Sequence, residues 1–199
     1  MMTFAKSLFS RALLAAALVT GAGAAAAGPM YHVDIDTSSF KDQVAGFLDL
    51  TFLPGIESGA ATATVSHFSG DFGDMVDMSA PGVSGSLDGQ VVFDNSLYAD
   101  LFRSINLGGH VGFDVGFSGP GTGIGGTDFD VSLYDATGMA YLDGAASIVH
   151  FTLQPDSITL DVNQALATVG PVAAAVPEPS ALLLVAIGLM MVAAARRRA

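Results

Sequence analysis

The sequence contains no cysteine and no tryptophan. The absence of cysteine excludes disulfide bonds, thiolate metal sites and a cysteine nucleophile. The absence of tryptophan leaves only four tyrosines among the polar aromatic residues, so a stacking surface for carbohydrate is poorly supplied. Without disulfide bonds the fold depends on an apolar core. The roughly 145 residues between the two apolar ends of the chain are enough to form one domain.

Basic side chains are nearly absent from the body of the protein. Between residues 28 and 176, only Lys41 and Arg103 are basic, whereas eighteen side chains are acidic. Such a surface repels phosphate backbones, which excludes nucleic acid as a partner. It suits a soluble extracellular protein, or one that collects divalent cations.

The amino-terminal end has the pattern of an export signal. Lys6 and Arg11 flank the start of an apolar run, and small residues follow up to Ala27. This order predicts a signal peptide over residues 1–27, and cleavage after Ala27 fits the small-x-small rule through Ala25 and Ala27. Cleavage one or three residues earlier satisfies the rule as well, and an uncleaved anchor is the alternative.

Residues 177–199 combine a proline-rich breaker, an apolar run and a basic end. Pro177, Glu178 and Pro179 precede an uncharged stretch, residues 181–195, and the cluster Arg196, Arg197 and Arg198 follows. The stretch predicts a transmembrane helix of roughly 22 Å, and the arginines place its end in the cytoplasm. The body would then lie outside the inner membrane.

The body consists of short alternating segments separated by turn signals. His110 to Phe117 is the clearest predicted strand, and Gly46 to Phe52 is another. Residues 69–82 are predicted to be irregular, residues 95–106 to include one or two helical turns, and residues 165–176 to be a small-residue linker. Eight or nine strands without βαβ alternation predict a mainly β protein: a single antiparallel β-sandwich, jelly-roll-like, over residues 28–164.

Residues 177–199 resemble the PEP-CTERM sorting tail of exported proteins in Gram-negative bacteria. The resemblance implies recognition by a membrane protease-transpeptidase, exosortase, that cuts near Pro177, Glu178 and Pro179. A plain membrane anchor with a chance Pro-Glu-Pro is the alternative. Segments 31–36, 46–50, 113–119 and 132–136 are also similar to small PEP-CTERM proteins of proteobacteria, a family that brings no activity with it.

The aspartates are the candidate metal ligands. Their oxygens are hard ligands of the kind that calcium prefers, and several are closely spaced. No calcium-loop pattern accompanies them, and a solvated acidic surface explains them equally well. Calcium is the one cofactor that the sequence suggests, with the candidates Asp34, Asp36, Asp71, Asp74, Asp77, Asp128 and Asp130.

Catalytic signatures are missing. Glu57 is the sole glutamate of the body, and no Gly-x-Ser-x-Gly elbow occurs. The Gly-x-Gly-x-x-Gly of residues 121–126 precedes a strand instead of a helix, so it does not indicate a dinucleotide site. The four histidines lack metal-ligand spacing and are expected on the surface or on strand faces: His32, His67, His110 and His150. The protein is therefore not expected to be an enzyme.

Three classes of function follow from these features. The first is an exported, non-catalytic protein of the cell surface or of a biofilm exopolysaccharide matrix, processed by signal peptidase and exosortase. The second is a β-sandwich module that binds carbohydrate, calcium or both. This hypothesis rests only on analogy with other proteins of the same fold. The third is a secreted hydrolase, which would require converging carboxylates or a Ser/His pair in a pocket.

Overall fold

The computed structural model describes residues 28–119, 125–144 and 146–172. In these ranges twelve strands and one 3-10 turn (Ser38–Phe40) are present, and no α-helix. The strands are β1 Met30–Asp36, β2 Ala45–Pro54, β3 Thr62–Gly70, β4 Phe72–Asp77, β5 Val83–Gly85, β6 Gln90–Asp94, β7 Ala99–Asn106, β8 His110–Ser118, β9 Thr127–Tyr134, β10 Val149–Gln154, β11 Ser157–Val162 and β12 Ala167–Pro171.

The strands form two antiparallel sheets of six strands each. The first sheet has the order β12-β1-β8-β3-β6-β5, and the second has the order β11-β10-β9-β2-β7-β4. The pairs are nested, because β1 pairs with β8, β2 with β7 and β3 with β6. Strands β9 to β11 extend the second sheet beyond β2, and β12 returns to pair with β1.

The two sheets share one core, which gives a sandwich-like arrangement. The inner strands of both sheets bury alternate side chains, as β2 does with Leu48, Leu50 and Phe52. Rings from opposite sheets meet in the centre, where Phe117 of β8 lies 5.0 Å from Phe151 of β10 and 5.7 Å from Phe129 of β9 (centroid distances). The mainly β prediction is confirmed, and so are the strands predicted at His110 to Phe117 and Gly46 to Phe52.

The helical turns predicted within residues 95–106 are wrong, since Ala99–Asn106 is strand β7. Leu97, Leu101 and Phe102 have helical spacing, but β7 pairs with β2 on one side and β4 on the other. Asp94, just before this segment, does not cap a helix. It accepts a hydrogen bond from the Ser96 backbone N–H (2.7 Å) and closes a turn. Tertiary strand pairing overrides the local helical pattern here.

Three further predictions about the body are corrected by the strand assignment. The stretch predicted to be irregular, 69–82, contains edge strand β4, and the linker predicted at 165–176 contains edge strand β12. The alternating pattern from Gly85 to Phe93 predicts a single strand, whereas the structure has the hairpin of β5 and β6 there, and β5 ends at Gly85 with φ 99°. These segments are short or rich in small residues, so their own sequences do not favour a strand. Hydrogen bonds to the edge of the neighbouring strand set their conformation.

Asn95 ties three segments together at the end of β6. Its buried side chain accepts a hydrogen bond from the Ala61 N–H (2.8 Å) and donates to the Gly59 carbonyl (2.8 Å) and to Thr127 Oγ1 (2.7 Å). We expect Asn95→Ala to lower the free energy of unfolding by about 3 kcal/mol, because buried partners lose their hydrogen bonds. Urea unfolding followed by circular dichroism measures this, with the exposed Thr159→Ala as the control. A loss below about 1 kcal/mol would contradict the role given to Asn95.

Candidate ligand-binding face

The outer face of the second sheet collects acidic and aromatic side chains. Alternation along the strands turns these residues away from the core, and the register places them side by side. Thr51 lies opposite Asp100 on one neighbour and Asp130 on the other, while Asp49 lies opposite Phe102. We call this surface the acidic–aromatic face and define it by Phe47, Asp49, Thr51, Asp100, Phe102, Asp128, Asp130, Tyr134, His150 and Thr152, with Tyr98 and Tyr141 at its border.

One half of the face is a continuous group of rings. Phe47 of β2 stacks on Phe102 of β7 with centroids 4.6 Å apart and planes 16° apart. Tyr134 of β9 meets Phe102 edge-on at 5.7 Å, and Tyr141 lies 4.6 Å from Tyr134. The Asp135–Gly138 turn brings Tyr141 back to this position. Three of the four tyrosines of the chain thus lie on or beside one face, a concentration that the composition does not reveal.

The other half contains a pair of carboxyl groups, Asp49 and Asp100. Burial, a hydrogen bond with Asp100 and the charges of Asp100 and Asp130 raise the pKa of Asp49 to about 8. The Oδ1 atoms of both aspartates are buried and have no other donor, so a shared proton accounts for the pair. The Tyr98 hydroxyl donates to Asp100 Oδ2 at 2.9 Å, and burial together with Asp100 raises the pKa of Tyr98 to about 12. The raised pKa favours the protonated form of Asp49 at neutral pH.

A hydrogen-bonded network continues this half toward β10. His150 Nδ1 lies 2.7 Å from Asp130 Oδ1, and its Nε2 lies 3.0 Å from Thr152 Oγ1, which donates to Asp128 Oδ1 at 2.8 Å. Burial alone would lower the pKa of His150, but the hydrogen bond and charge of Asp130, with the charges of Asp128 and Asp161, outweigh it and raise that pKa. The face therefore combines paired, oriented carboxylates with adjoining rings.

The predicted calcium ligands are dispersed over three places. Asp128 and Asp130 lie on the acidic–aromatic face, whereas the other candidates lie elsewhere. On the first sheet, His110 Nδ1 contacts Asp34 at 2.8 Å, and Asp36 accepts the Ser38 N–H. At β4, Asp71 accepts from Asn106 and Asp77 from the Ser79 N–H, while Asp74 is exposed. Within the described part of the chain no three His, Asp or Glu side chains are grouped so that they could hold a metal ion. Calcium binding stays a prediction.

The outer face of the first sheet contains a second set of His–Asp contacts. Asp114 is shared by His32 (2.7 Å) and by His67 (2.8 Å), the latter at a bulge in β3 where its backbone has φ 54°. All four histidines therefore lie at exposed or half-buried positions beside a carboxylate.

Two open clefts lie apart from the acidic–aromatic face. One, of about 450 Å³, is lined in part by His67, Asp88 and Gln90; the other, of about 630 Å³, lies between β11 and β12. Neither is lined by converging carboxylates. The paired carboxyls that a hydrolase would need occur instead on the acidic–aromatic face, around Asp49 and Asp100.

The residues predicted for export and sorting fall outside the described residues. They are the cleavage region with Ala25 and Ala27, the motif Pro177, Glu178 and Pro179, and the cluster Arg196, Arg197 and Arg198. Among residues 28–119, 125–144 and 146–172, no helix is long and apolar enough to cross a membrane.

Comparison with known proteins bears on the end of the chain. A family model, the PEP-CTERM protein-sorting motif, matches residues 175–198. No curated protein and no solved structure matches the chain. The motif implies export to the cell envelope or surface and recognition by an exosortase-type processing enzyme. The carboxy-terminal end of the chain is therefore a PEP-CTERM protein-sorting motif, at residues 175–198.

Proposed function

We propose that this protein is a non-catalytic component of the cell surface or of an extracellular exopolysaccharide matrix. The observation that carries the proposal is the sorting motif at residues 175–198. In this proposal signal peptidase removes residues 1–27, the apolar helix holds the chain in the inner membrane, and exosortase then releases the body. The nested strand pairs support a jelly-roll sandwich as the exported body.

The two ends of the β-domain support processing at one side of the molecule. β1 and β12 are antiparallel neighbours, and the Val172 N–H donates to the Met30 carbonyl at 2.8 Å. Both proposed cleavage sites thus lie a few residues from the same sheet edge. Residues 173–176 reach at most about 14 Å when fully extended, so exosortase would act close to the folded domain.

The test of sorting is the intact mass of the protein recovered from its native host. We expect a wild-type product that begins near Gly28, ends between Pro177 and Ser180, and is found outside the membrane fraction. We expect Glu178→Ala combined with Pro179→Ala to retain Arg196 to Arg198 and to stay in the membrane. Thr159→Ala, an exposed change on β11, serves as the matched control. Normal release of the double variant would contradict the proposal.

Ligand binding by the β-domain is the second candidate function, and the acidic–aromatic face favours it. The same face contains the converging carboxyls Asp49 and Asp100, which a hydrolase would need. We nevertheless favour binding, because the pair lies on the outer face of a sheet beside a group of rings, and neither of the two clefts includes it. In this candidate function the ligand is a carbohydrate, bound with or without calcium.

The calcium version of this candidate predicts a stabilised folded state. A site with a dissociation constant one hundredth of the calcium concentration would stabilise the fold by about 2.7 kcal/mol, which raises the melting temperature. Calorimetric scans with calcium and with a chelator measure this, and Asp128→Asn combined with Asp130→Asn tests the location. Identical melting temperatures in calcium and chelator would remove calcium from the proposal.

A further inference from the structure

We propose that the acidic–aromatic face binds a glycan chain whose sugars carry ammonium groups. The proposal rests on the second candidate function and gives it a ligand class. It does not depend on the sorting of the protein, which concerns residues 175–198.

Charge complementarity is the first argument for this ligand. The face presents four aspartates, Asp49, Asp100, Asp128 and Asp130, and its one basic side chain, His150, contacts two of them. Arg103 of β7 faces the opposite way, with its guanidinium 3.6 Å from the centroid of Phe72. An anionic glycan would meet only repulsion on this surface, whereas a cationic one would find carboxylates that the protein leaves without a lysine or arginine partner.

The carboxyl pair explains why the cation would be bound beside the rings. In the free protein, burial and the neighbouring carboxylates raise the pKa of Asp49 to about 8, and no donor among the described residues reaches the Oδ1 atom of either aspartate. An ammonium group beside the pair would supply a positive charge that stabilises the ionised carboxylates. Phe102 lies directly opposite Asp49 across the strands, so the same ammonium group would lie near an aromatic ring and gain cation–π attraction.

The aromatic half supplies the contact for the apolar side of the sugars. Tyr98 and Tyr141, 54% and 40% exposed, border the face at its two sides, and their rings present CH-binding surface with a polar tip. Neither of the two open clefts includes this face. A small molecule needs a concave pocket that encloses most of it, whereas a polymer can lie across an open sheet. The two exposed rings at separate borders of the face can each contact a different sugar of one chain.

Binding calorimetry on the full-length chain in mild detergent tests the proposal. The probe is an oligosaccharide of glucosamine, compared with its N-acetylated form, an oligosaccharide of uronic acid and an oligopeptide of lysine. We expect the glucosamine probe alone to bind well, and we expect Asp100→Asn and Tyr141→Ala each to weaken it about tenfold or more, the equivalent of one good contact. Asp34→Asn, on the outer face of the first sheet, is the matched control and should bind as the wild type does.

Each other result would overturn a stated part of the proposal. Equal binding of the acetylated probe would exclude the ammonium group as the recognised feature, and equal binding of the lysine peptide would exclude the glycan. Unchanged binding by Tyr141→Ala would place the site elsewhere; this variant changes an exposed ring, so it tests the face even if Asp100→Asn fails to fold. Absence of binding would reject the proposal while leaving the intact-mass result on sorting untouched.

Discussion

Phe129→Ala is expected to lower the free energy of unfolding of the β-domain by about 4 kcal/mol, as large-to-small changes at well-packed phenylalanines do. The ring is fully buried and lies at the meeting point of the two sheets. Its centroid is 5.7 Å from that of Phe117 and 5.8 Å from that of Phe93 on the first sheet. It is 6.2 Å from Phe52 and 6.3 Å from Phe151 on its own sheet. Truncation would therefore leave a cavity that neighbours from both sheets cannot fill without moving.

Urea unfolding followed by circular dichroism measures this loss. Leu160→Ala, at a side chain 40% exposed on β11, is the control and should cost less than about 1 kcal/mol. Because domains are only marginally stable, Phe129→Ala could unfold outright. Phe129→Leu keeps most of the buried volume, and we expect it to cost about 1–2 kcal/mol. A cost for Phe129→Ala no larger than that of Leu160→Ala would contradict a shared core centred on this ring.

The strands that the sequence predicts correctly are those in which one face is fully apolar. In β8, Val111, Phe113, Val115 and Phe117 alternate with polar residues and glycine, so the buried face is visible in the sequence. In β4 and β12 no such face exists, since both are edge strands with one buried residue between them, Ala167. Their conformation is set by hydrogen bonds to β7 and β1, which are distant in sequence.

Some residues of the acidic–aromatic face can be recognised from neighbours in the sequence, whereas others can be recognised only from the pairing of strands that are distant in the sequence. Asp128 and Asp130 are visible as an Asp-x-Asp pair, although the sequence gives no reason to prefer them to Asp34 and Asp36. Asp49 and Asp100 could not be paired from the sequence, because their proximity depends on the register of β2 against β7. Because the start of β7 has a helical pattern, the sequence predicts that its outward-facing residues lie on a helix. In the structure they lie on the outer face of a sheet. An Asp, Phe or Tyr at alternate positions of β2, β7 and β9 is the signal that finds this face once the strand order is known.

The distribution of histidines follows from the same registers. His32 lies opposite Asp114, His110 opposite Asp36, and Asp130 opposite His150 across adjacent strands. The neighbouring carboxylates raise the pKa values of His110 and His150, and cross-strand pairs of opposite charge stabilise a sheet when these histidines are protonated. The stability of the protein should therefore depend on pH in a direction that the paired carboxyls and these histidines determine together.

We expect the free energy of unfolding to be greatest near pH 5 and to fall as the pH rises toward about 8. Asp49, with a pKa of about 8 in the folded state and an ordinary pKa of 3.8, holds a proton that the unfolded chain releases. Between those values stability is lost on raising the pH, by at most about 1.4 kcal/mol per pH unit. The pKa values of His110 and His150 are also raised, so their stabilising contacts are complete below about pH 6.5 and are lost above it. In stronger acid the order reverses, because Asp36, Asp77, Asp94 and Asp135 have lowered pKa values and lose their hydrogen-bonded carboxylate form.

The variant Asp49→Asn distinguishes the contribution of the carboxyl pair to the pH dependence of stability from the contribution of the histidines. The amide can donate a hydrogen bond to Asp100 as the protonated carboxyl does, yet it cannot lose a proton. We therefore expect the variant to match the wild type near pH 5 and to be the more stable protein at pH 8, with the decline between about pH 5 and 6.5 largely removed and the decline due to the histidines above pH 6.5 retained. Urea unfolding at half-unit pH steps measures both curves, and Asp74→Asn, at an exposed position on β4, controls for the loss of one negative charge. If Asp74→Asn flattened the curve as much as Asp49→Asn, general charge repulsion would be the cause, and the shared proton would not.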